Sequence, residues 1–227
     1  MVYAVTDLAA ATAHFHSQWG LHVVEGGAHP NWGTHNSLCH FGLPYVEFIA
    51  VQDPVIARKS DFGRSVLQQV EAGGGLVTAA LATDDLDGAV ARMRQNGIAV
   101  DGPFDGRRQR PDGSLLQWRM AWPAPWGDMP MPFLIQWQQD DVEREADLRR
   151  RGLIRDQRFG FAAVVYDVPD LQQAAEAFRR WYGEDADQLG IILREAGERS
   201  GPAVLCLDAP TTEWRTAFGG RWQFHKA

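Results

Sequence analysis

The sequence has few of the residues that several classes of protein site require. Cysteine occurs only as Cys39 and Cys206, far apart and without a CxxC pair, which predicts neither a disulfide framework nor a thiolate zinc site. A single bridge between these two cysteines stays open. Lysine occurs only as Lys59 and Lys226, which leaves little scope for Schiff-base chemistry by an interior lysine.

The sequence also lacks a surplus of basic residues and a long apolar run. Lysine and arginine number 22 against 29 acidic residues, a formal charge of -7, so no basic footprint for a nucleic acid is expected. No apolar run approaches the roughly 20 residues that a bilayer-spanning helix needs, and Met1–Val5 do not begin a secretory signal. We therefore expect a cytoplasmic protein with no membrane partner.

What the chain does contain is typical of a compact globular protein. Its 227 residues are 45% hydrophobic, 22% charged and 11% aromatic. This length is enough for one large domain or two small ones, each with a hydrophobic core. The composition argues against extended disorder or a coiled coil.

A short pattern occurs three times along the chain, beginning at Asp7, Asp85 and Asp170. Each aspartate is followed by leucine, a small residue at +4, a large apolar residue at +8 and a glycine at +12 or +13. An aspartate at this place caps the start of a helix, the apolar positions form one stripe, and the glycine ends the helix. Runs that favour strands precede and follow each copy, so the repeated unit is predicted to be β-α-β-β-β.

The repeat predicts three modules in chain order. Residues 1–72 and 73–139 form the first two, which pair as 1–139, and residues 159–227 form a third, shorter β-α-β-β module. Residues 140–158 are rich in charge, which predicts a solvated linker or a short surface helix. An unpaired third module leaves a sheet edge that must be covered, so we expect it either to pack beside the first two modules or to pair across a homodimer.

The tandem unit resembles the vicinal-oxygen-chelate superfamily, which includes the glyoxalases, the extradiol dioxygenases and the bleomycin-resistance proteins. The run Gly26–Asn36, GGAHPNWGTHN, followed by Tyr45–Ala50, YVEFIA, resembles more narrowly the glyoxalase-like domain family. The resemblance covers residues 1–138 well and the third copy only at its helix. It implies an α+β fold of tandem β-α-β-β-β modules, the first two forming an open, cup-shaped half-barrel with the ligand site inside.

The resemblance also raises the question of a metal. Many members of the superfamily hold one divalent metal with a histidine near the start of each module's first strand and a carboxylate on each module's last. The histidine position of the second copy, seven residues before Asp85, is Thr78, and that of the first copy would precede Met1.

The carboxylate positions are only half matched. Glu47 matches the carboxylate of the first module, and aligning Leu134–Trp137 with Tyr45–Phe48 puts Gln136 at the second. One of the four usual ligands is thus present, a poor donor set for zinc or iron. Glu47 is the one metal-ligand candidate that remains, and the cofactor stays unknown.

Glu47 and His35 are the candidates for acid–base catalysis. Strand alternation puts Tyr45, Glu47 and Ile49 on one face and Val46 and Phe48 on the other, so both faces are largely apolar. A carboxylate there must be paired, metal-bound, hydrogen-bonded or protonated. One interpretation is a salt bridge with Arg119; the other is a general base or ligand anchor with a raised pKa. His35 follows a turn at a strand end, and imidazole is the usual acid or base near pH 7. A metal site that recruits His29 or His35 beside Glu47 also stays open.

A further set of residues is predicted to orient a ligand. His29 lies in a loop that could act as a lid, and the alternative for it is an exposed loop histidine. Trp122 begins a rigid WPAPW loop that could cover an apolar ligand, with a place in the core or rim as the alternative. The predicted ligand-binding residues are His29, Asn36, Arg119, Gln136, Trp137 and Trp122.

Three neighbouring arginines, Arg107, Arg108 and Arg110, suit an anionic ligand if they lie at the mouth of a cleft, and are otherwise a solvated loop. By resemblance, the protein binds a small oxygen-rich or anionic molecule and is a lyase or an isomerase. The alternative is a non-catalytic binding or sequestering protein of the bleomycin-resistance type, which the missing metal ligands favour. Because a fold does not fix a function, the substrate and whether the chain is an enzyme stay open.

Overall fold

The computed structural model describes residues 1–110, 113–156, 158–197 and 200–226. The elements of the first module are β1 (Val2–Ala4), α1 (Leu8–Trp19), β2 (Val23–His29), β3 (Thr34–His40), β4 (Tyr45–Val51), α2 (Pro54–Ala57) and α3 (Asp61–Glu71). Those of the second are β5 (Gly75–Thr78), β6 (Ala80–Ala82), α4 (Leu86–Gln95), β7 (Val100–Gln109), β8 (Leu115–Pro123) and β9 (Phe133–Trp137).

The rest of the chain contains a linking helix and a third set of strands. These elements are α5 (Asp141–Arg150), β10 (Gly160–Val168), α6 (Leu171–Tyr182), a 3-10 helix (Ala186–Leu189), β11 (Ile191–Glu195), β12 (Gly201–Ala209), β13 (Glu213–Ala217) and β14 (Gly220–Lys226). None of the helices among the described residues combines the length and the apolar character needed to cross a bilayer.

The three repeated aspartates cap three helices, as the sequence predicts. Asp7, Asp85 and Asp170 each accept a hydrogen bond at 2.9 Å from the backbone N–H three residues further on. Gly20 and Gly183, in the left-handed conformation, end α1 and α6. The repeated sequence pattern is therefore a repeated helix-capping pattern.

The strands of the described residues form three sheets. Their orders are β2-β3-β4-β1-β5, β6-β9-β8-β7 and β11-β10-β12-β14-β13. In each of the first two modules the strand just before the capped helix pairs in parallel with the last strand, β1 with β4 and β6 with β9. The predicted α+β fold with repeated modules is thus confirmed. The third sheet differs, because β13 and β14, which were not predicted from the sequence, form a hairpin whose strand β14 lies parallel to β12.

Contacts divide the chain into two compact units. Unit 1 comprises Met1–Val77, Arg144–Val164 and Ala203–Ala227, and unit 2 comprises Thr78–Glu143 and Val165–Pro202. The predicted boundaries at 1–72, 73–139, 140–158 and 159–227 describe repeats along the chain and stay a prediction. In the charged stretch, α5 buries Arg144, Asp147 and Leu148.

Unit 1 has an aromatic core between its first sheet and α1. Phe15 of α1 stacks on Phe48 of β4 with ring centroids 4.3 Å apart. Tyr3 of β1 is fully buried; its hydroxyl donates to the carbonyl oxygen of Ala217 at 2.5 Å and accepts from Nε1 of Trp222 at 3.0 Å. One face of β4 is therefore committed to the core, and side chains at alternate positions point to the other face.

Unit 2 has its own core between α4 and the strands β8 and β9. Leu86, Val90 and Met93 of α4 pack with Ala121 of β8 and Leu134 of β9. Because side chains alternate along a strand, the odd-numbered positions of β8 and the even-numbered positions of β9 face α4. The remaining positions of these two strands point away from that helix.

Candidate functional site

Strand register collects four polar side chains on one face of the first sheet. The antiparallel pairing of β3 with β4 puts Asn36 and Glu47 on the same face, opposite to that of Phe48. The pairing of β2 with β3 sets His29 directly across from Thr34, on the face of Asn36. These four side chains therefore lie on the face of the sheet that points away from α1.

Glu47 is held by the side-chain amide of Asn36. Nδ2 of Asn36 donates to Oε1 of Glu47 at 2.5 Å, and the backbone N–H of Gly27 donates to Oδ1 of Asn36 at 2.9 Å. The bond from Gly27 fixes which end of the amide faces Glu47. A Cβ at Gly26 would collide with the same amide, so the close approach of β2 to Asn36 requires glycine at position 26.

The environment of Glu47 leaves one carboxylate oxygen for other partners. The side chain is 15% exposed, and no described residue donates a hydrogen bond to its Oε2. A carboxylate that is this far buried is expected to keep a demand for a hydrogen-bond or proton donor.

His29 is the histidine that the fold brings to Glu47. Its Nε2 lies 3.9 Å from Oε1 of Glu47 and 3.5 Å from Nδ2 of Asn36, and its Nδ1 lies 3.0 Å from Oγ1 of Thr34, which is fully buried. The Trp32 ring lies beside it, with centroids 5.4 Å apart. The prediction that His29 lies in a lid loop is wrong, because the chain stays in β2 as far as His29 and turns only after it.

The structure does not bring His35 to Glu47. His35 lies in β3 between Thr34 and Asn36 and pairs with Ala28 and Ala50, so it occupies the opposite face of the sheet. Sequence reasoning placed a turn around these residues, and a turn does not impose the alternation that a strand does. Of the two histidines, the pairing of β2 with β3 brings His29 to the face of Glu47.

Two of the predicted ligand-binding residues contact the start of α4. Arg119 makes two hydrogen bonds to the carboxylate of Asp87, at 2.8 and 2.9 Å, and its Nε lies 3.7 Å from Asp105. Nε2 of Gln136 donates to the carbonyl oxygen of Asp84 at 2.6 Å. The ion pairs of Arg119 are thus with Asp87 and Asp105, and these bonds lower the pKa of Asp87.

The alignment that made Gln136 the counterpart of Glu47 is wrong by three residues. Val2 is the register partner of Glu47, and Ala80, at the same distance before its helix-capping aspartate, is the register partner of Phe133. Phe133 is therefore the structural counterpart of Glu47. Both strands are short and apolar, so the sequence alone could not fix the register, and a shift of an odd number of residues exchanges the two faces.

The residues around Glu47 do not fit the divalent metal that many members of the superfamily hold. Among the described residues, no group of three or more His, Cys, Asp or Glu side chains is placed to hold a metal ion. The NH₂ group of Asn36 points at Glu47 Oε1, where a cation would bind. A donor set of one carboxylate and one imidazole is below the three or four ligands that zinc requires.

Trp122 and Trp137 lie on the face of the second sheet that points away from α4. The Trp122 ring stacks on Phe133 with centroids 4.1 Å apart. Trp137 is the cross-strand partner of Trp118, and their rings are 5.8 Å apart. Trp122 and Trp137 stay predicted ligand-binding residues, and Trp118 lies on the same face of the sheet.

We predict that His40, at the end of β3, makes the protein less stable in mild acid. Burial, followed by the nearby guanidinium of Arg144, lowers the pKa of His40 to about 4. In the unfolded chain a histidine takes up its proton near pH 6.5, so between about pH 6.5 and 4 only the unfolded state is protonated. This contribution to stability is complete above pH 6.5 and is lost as the pH falls, by about 2 kcal/mol at pH 5.

Urea unfolding at pH 7.5 and pH 5 of the wild type and of His40→Gln measures this effect. The variant should lose less free energy of unfolding than the wild type over that interval, because glutamine takes up no proton. Equal losses in the two proteins would show that His40 is not the group responsible.

The chain is similar to one described protein family and to several solved structures. The sequence model described as a glyoxalase-like domain matches residues 1–182. Among solved structures, a hypothetical protein from Staphylococcus aureus has a TM-score of 0.83 at 19% identity, over 99% of this chain and 96% of that chain. A methylmalonyl-CoA epimerase from Mycobacterium tuberculosis has a TM-score of 0.45 at 19% identity, over 63% of this chain and 88% of that chain. Among curated proteins there is no match. The family match spans most of the sequence, and the chain belongs to the glyoxalase-like domain family.

Proposed function

We propose that the protein is an isomerase or a lyase that uses Glu47 as a general base on a small, oxygen-rich or anionic molecule. The observation that carries this proposal is the hydrogen bonding of the two carboxylate oxygens of Glu47. One of its oxygens is fixed by Asn36 at 2.5 Å, and the other has no donor among the described residues. A base held in this way is oriented before the substrate arrives and still has an oxygen free to approach a proton.

The chemistry best suited to such a base is removal of a proton from a carbon next to a carbonyl group. Glu47 takes the proton, and the electron pair of the C–H bond passes into the adjoining carbonyl to give an enolate. Return of a proton to carbon completes an isomerisation, whereas loss of a leaving group from the neighbouring carbon completes an elimination. Neither route needs a group beyond the substrate and the acid–base residues.

His29 is proposed to carry the second proton. Its Nε2 lies 3.9 Å from Glu47 Oε1, and the contact of its Nδ1 with Thr34 at 3.0 Å fixes the ring. An imidazole gives or takes a proton near neutral pH, so it can serve the enolate oxygen or the opposite face of the carbon. Trp32, beside His29, offers an apolar wall for the rest of the molecule.

A non-catalytic binding protein is the second candidate, and one observation favours it. Phe133 takes the place in the second module that Glu47 has in the first, so that module supplies no carboxylate at this position. In that case Glu47 and His29 recognise the ligand by hydrogen bonds and do not move protons.

Deuterium exchange into a panel of candidate substrates tests the proposal. Several 2-hydroxy ketones, 2-oxo acids and acyl thioesters are incubated with the protein in D₂O, and proton NMR follows the hydrogen next to each carbonyl. We expect enzyme-dependent loss of this signal for at least one compound. If no compound exchanges while titration calorimetry detects binding of one of them, the non-catalytic candidate holds and the enzyme proposal is wrong.

The setting of this activity is also a proposal. We infer a cytoplasmic homodimer, because the chain has only two cysteines, as is common in a reducing compartment, and because β11 and β13 form the edges of the third sheet. An elution volume in size-exclusion chromatography that matches a monomer would contradict the dimer.

A further inference from the structure

Strand β13 leaves one edge of the third sheet open. In the order β11-β10-β12-β14-β13 it has a neighbour on one side only among the described residues. Sheet edges are usually protected by a proline, a bulge or a surplus charge. β13 contains no proline, pairs with β14 in unbroken register, and carries one acidic and one basic residue. We propose that two copies of the chain pair along this edge, as antiparallel strands centred on Trp214. The pairing rests on the homodimer proposed for this protein and assigns its interface.

The backbone of β13 presents two residues to the open edge. The two residues of the turn that joins β13 to β14 have φ angles of 44° and 73°. In a hairpin of this kind the residues on either side of the turn exchange backbone hydrogen bonds, and so does every second pair beyond them. Ala217, Arg215 and Glu213 therefore bond to β14. The N–H and C=O groups of Trp214 and Thr216 point away from β14 and can bond to a further strand.

The hairpin is fixed within unit 1, so the open edge is held in place before a partner arrives. Trp222 of β14 is fully buried, and its Nε1 donates to the Tyr3 hydroxyl at 3.0 Å. The guanidinium of Arg215 lies over the ring of Phe224, 4.7 Å from its centroid. A strand that is already ordered loses little conformational freedom when it pairs with another.

Charge selects one register for this pairing. Glu213 and Arg215 share one face of β13, where their side chains form an ion pair at 2.6 Å. A twofold axis beside Trp214, perpendicular to the sheet, sets Glu213 opposite the partner's Arg215 and Arg215 opposite the partner's Glu213. An axis beside Glu213 or beside Arg215 would instead set two like charges opposite each other, which is destabilising. The register centred on Trp214 is therefore favoured.

The other face of β13 contributes an aromatic pair in the same register. Trp214 is 50% exposed, and the guanidinium of Arg221 lies over its ring, 5.1 Å from the centroid. Trp214 and the partner's Trp214 would lie directly opposite each other, with Cα atoms about 5.5 Å apart. The two indoles then cover apolar surface that each copy exposes when alone. Because the shared surface is one short strand, we expect a dissociation constant of about 10 µM.

Sedimentation velocity at protein concentrations from about 1 to 200 µM tests the pairing. Wild-type protein should change from mostly monomer to mostly dimer over this range. Glu213→Lys and Arg215→Glu each set like charges opposite each other at both ends of the pairing, so each should weaken the dimer at least about tenfold. Glu195→Lys is the matched control, because it makes the same change of charge at an exposed position of β11, the other edge of the sheet. It should alter the dissociation constant less than about twofold.

An equimolar mixture of Glu213→Lys and Arg215→Glu is the sharpest measurement. In a mixed dimer each charge at positions 213 and 215 lies opposite a charge of the other sign. The mixture should therefore associate within about threefold of the wild-type dissociation constant, although each variant alone is weakened. An axis beside Glu213 would leave Arg215→Glu unaffected, and an axis beside Arg215 would leave Glu213→Lys unaffected, so the three measurements together identify the register.

Circular dichroism establishes that each variant is folded before it is sedimented. If Arg215→Glu does not fold, the comparison of Glu213→Lys with Glu195→Lys decides the matter. The inference is overturned if Glu213→Lys dimerises like wild type, or if the mixture of two folded variants stays as weak as each alone. Weakening by Glu195→Lys instead would place the interface at β11 and leave the homodimer intact. Wild-type protein that is monomeric at about 200 µM contradicts both the pairing and the homodimer. None of these outcomes depends on the activity of Glu47.

Discussion

Replacing Glu47 by glutamine is expected to lower the rate of deuterium exchange into an accepted substrate by about 10²- to 10⁴-fold. Glutamine has nearly the same shape as glutamate and can still accept the hydrogen bond from Asn36, so the site should keep its geometry. It cannot take a proton from carbon. The loss should therefore appear in kcat and much less in KM, as expected when a group acts in the transition state.

Two further variants make this prediction specific. Glu25 lies in β2 on the opposite face of the same sheet and is exposed, so Glu25→Gln is the same chemical change away from the site and should leave the rate within about threefold of wild type. Glu47→Asp keeps the carboxylate on a shorter side chain. Its exchange rate should lie between those of the wild type and Glu47→Gln, because the base is displaced.

The competing assignment of His35 is decided in the same assay. His29→Gln should lower the rate of deuterium exchange more than His35→Gln does, since only His29 shares a face with Glu47. A loss with His35→Gln as large as that with Glu47→Gln would restore the assignment made from the sequence. Full activity of Glu47→Gln would remove the general-base mechanism altogether.

The parts of the fold that the sequence predicted correctly depend on residues close together along the chain. The aspartate caps at Asp7, Asp85 and Asp170 bond to a backbone N–H three residues away, so the pattern of a few residues contains all the information needed. The same holds for the glycines that end α1 and α6. Fold class followed from these local signals repeated at similar spacing.

The parts that were missed depend on partners distant in the sequence. Gln136 was aligned with Glu47 because both lie in apolar strands, yet the register of β9 is set by its pairing with β6, about fifty residues earlier. His35 was preferred to His29 because the pairing of β3 with β2, which sets the face of each histidine, is likewise not visible in the sequence. Which of two histidines faces a carboxylate is decided by strand alternation and by the β2–β3 pairing, neither of which can be read from residue types alone.

The hairpin of β13 and β14 is the clearest case of this kind. Strand β14 alternates polar and aromatic residues, and the third module predicted at 159–227 included both strands without predicting either of them as a strand. Trp222 of β14 is fully buried in unit 1, with its ring 5.2 Å from that of Tyr3 and 5.3 Å from that of Phe15. Trp222, more than two hundred positions after Tyr3 and Phe15 in the sequence, thus completes the core against which β4, the strand of Glu47, packs.

We therefore expect Trp222→Ala to lower the free energy of unfolding by about 4 kcal/mol. The substitution removes the largest side chain of this core, leaves a cavity between β14 and α1, and takes away the hydrogen bond that Nε1 donates to the Tyr3 hydroxyl at 3.0 Å. Urea unfolding followed by far-ultraviolet circular dichroism measures the change. If the variant does not fold at all at room temperature, the expectation is met in its stronger form.

Trp214→Ala is the control for this measurement. Trp214 lies in the neighbouring strand β13, is 50% exposed and contacts the guanidinium of Arg221 at 5.1 Å, so its removal should cost no more than about 1 kcal/mol. A loss below about 1 kcal/mol for Trp222→Ala would mean that the hairpin does not pack on Tyr3 and Phe15. The support of β4 would then come from α1 alone, and the position of Glu47 would have to be explained without the hairpin.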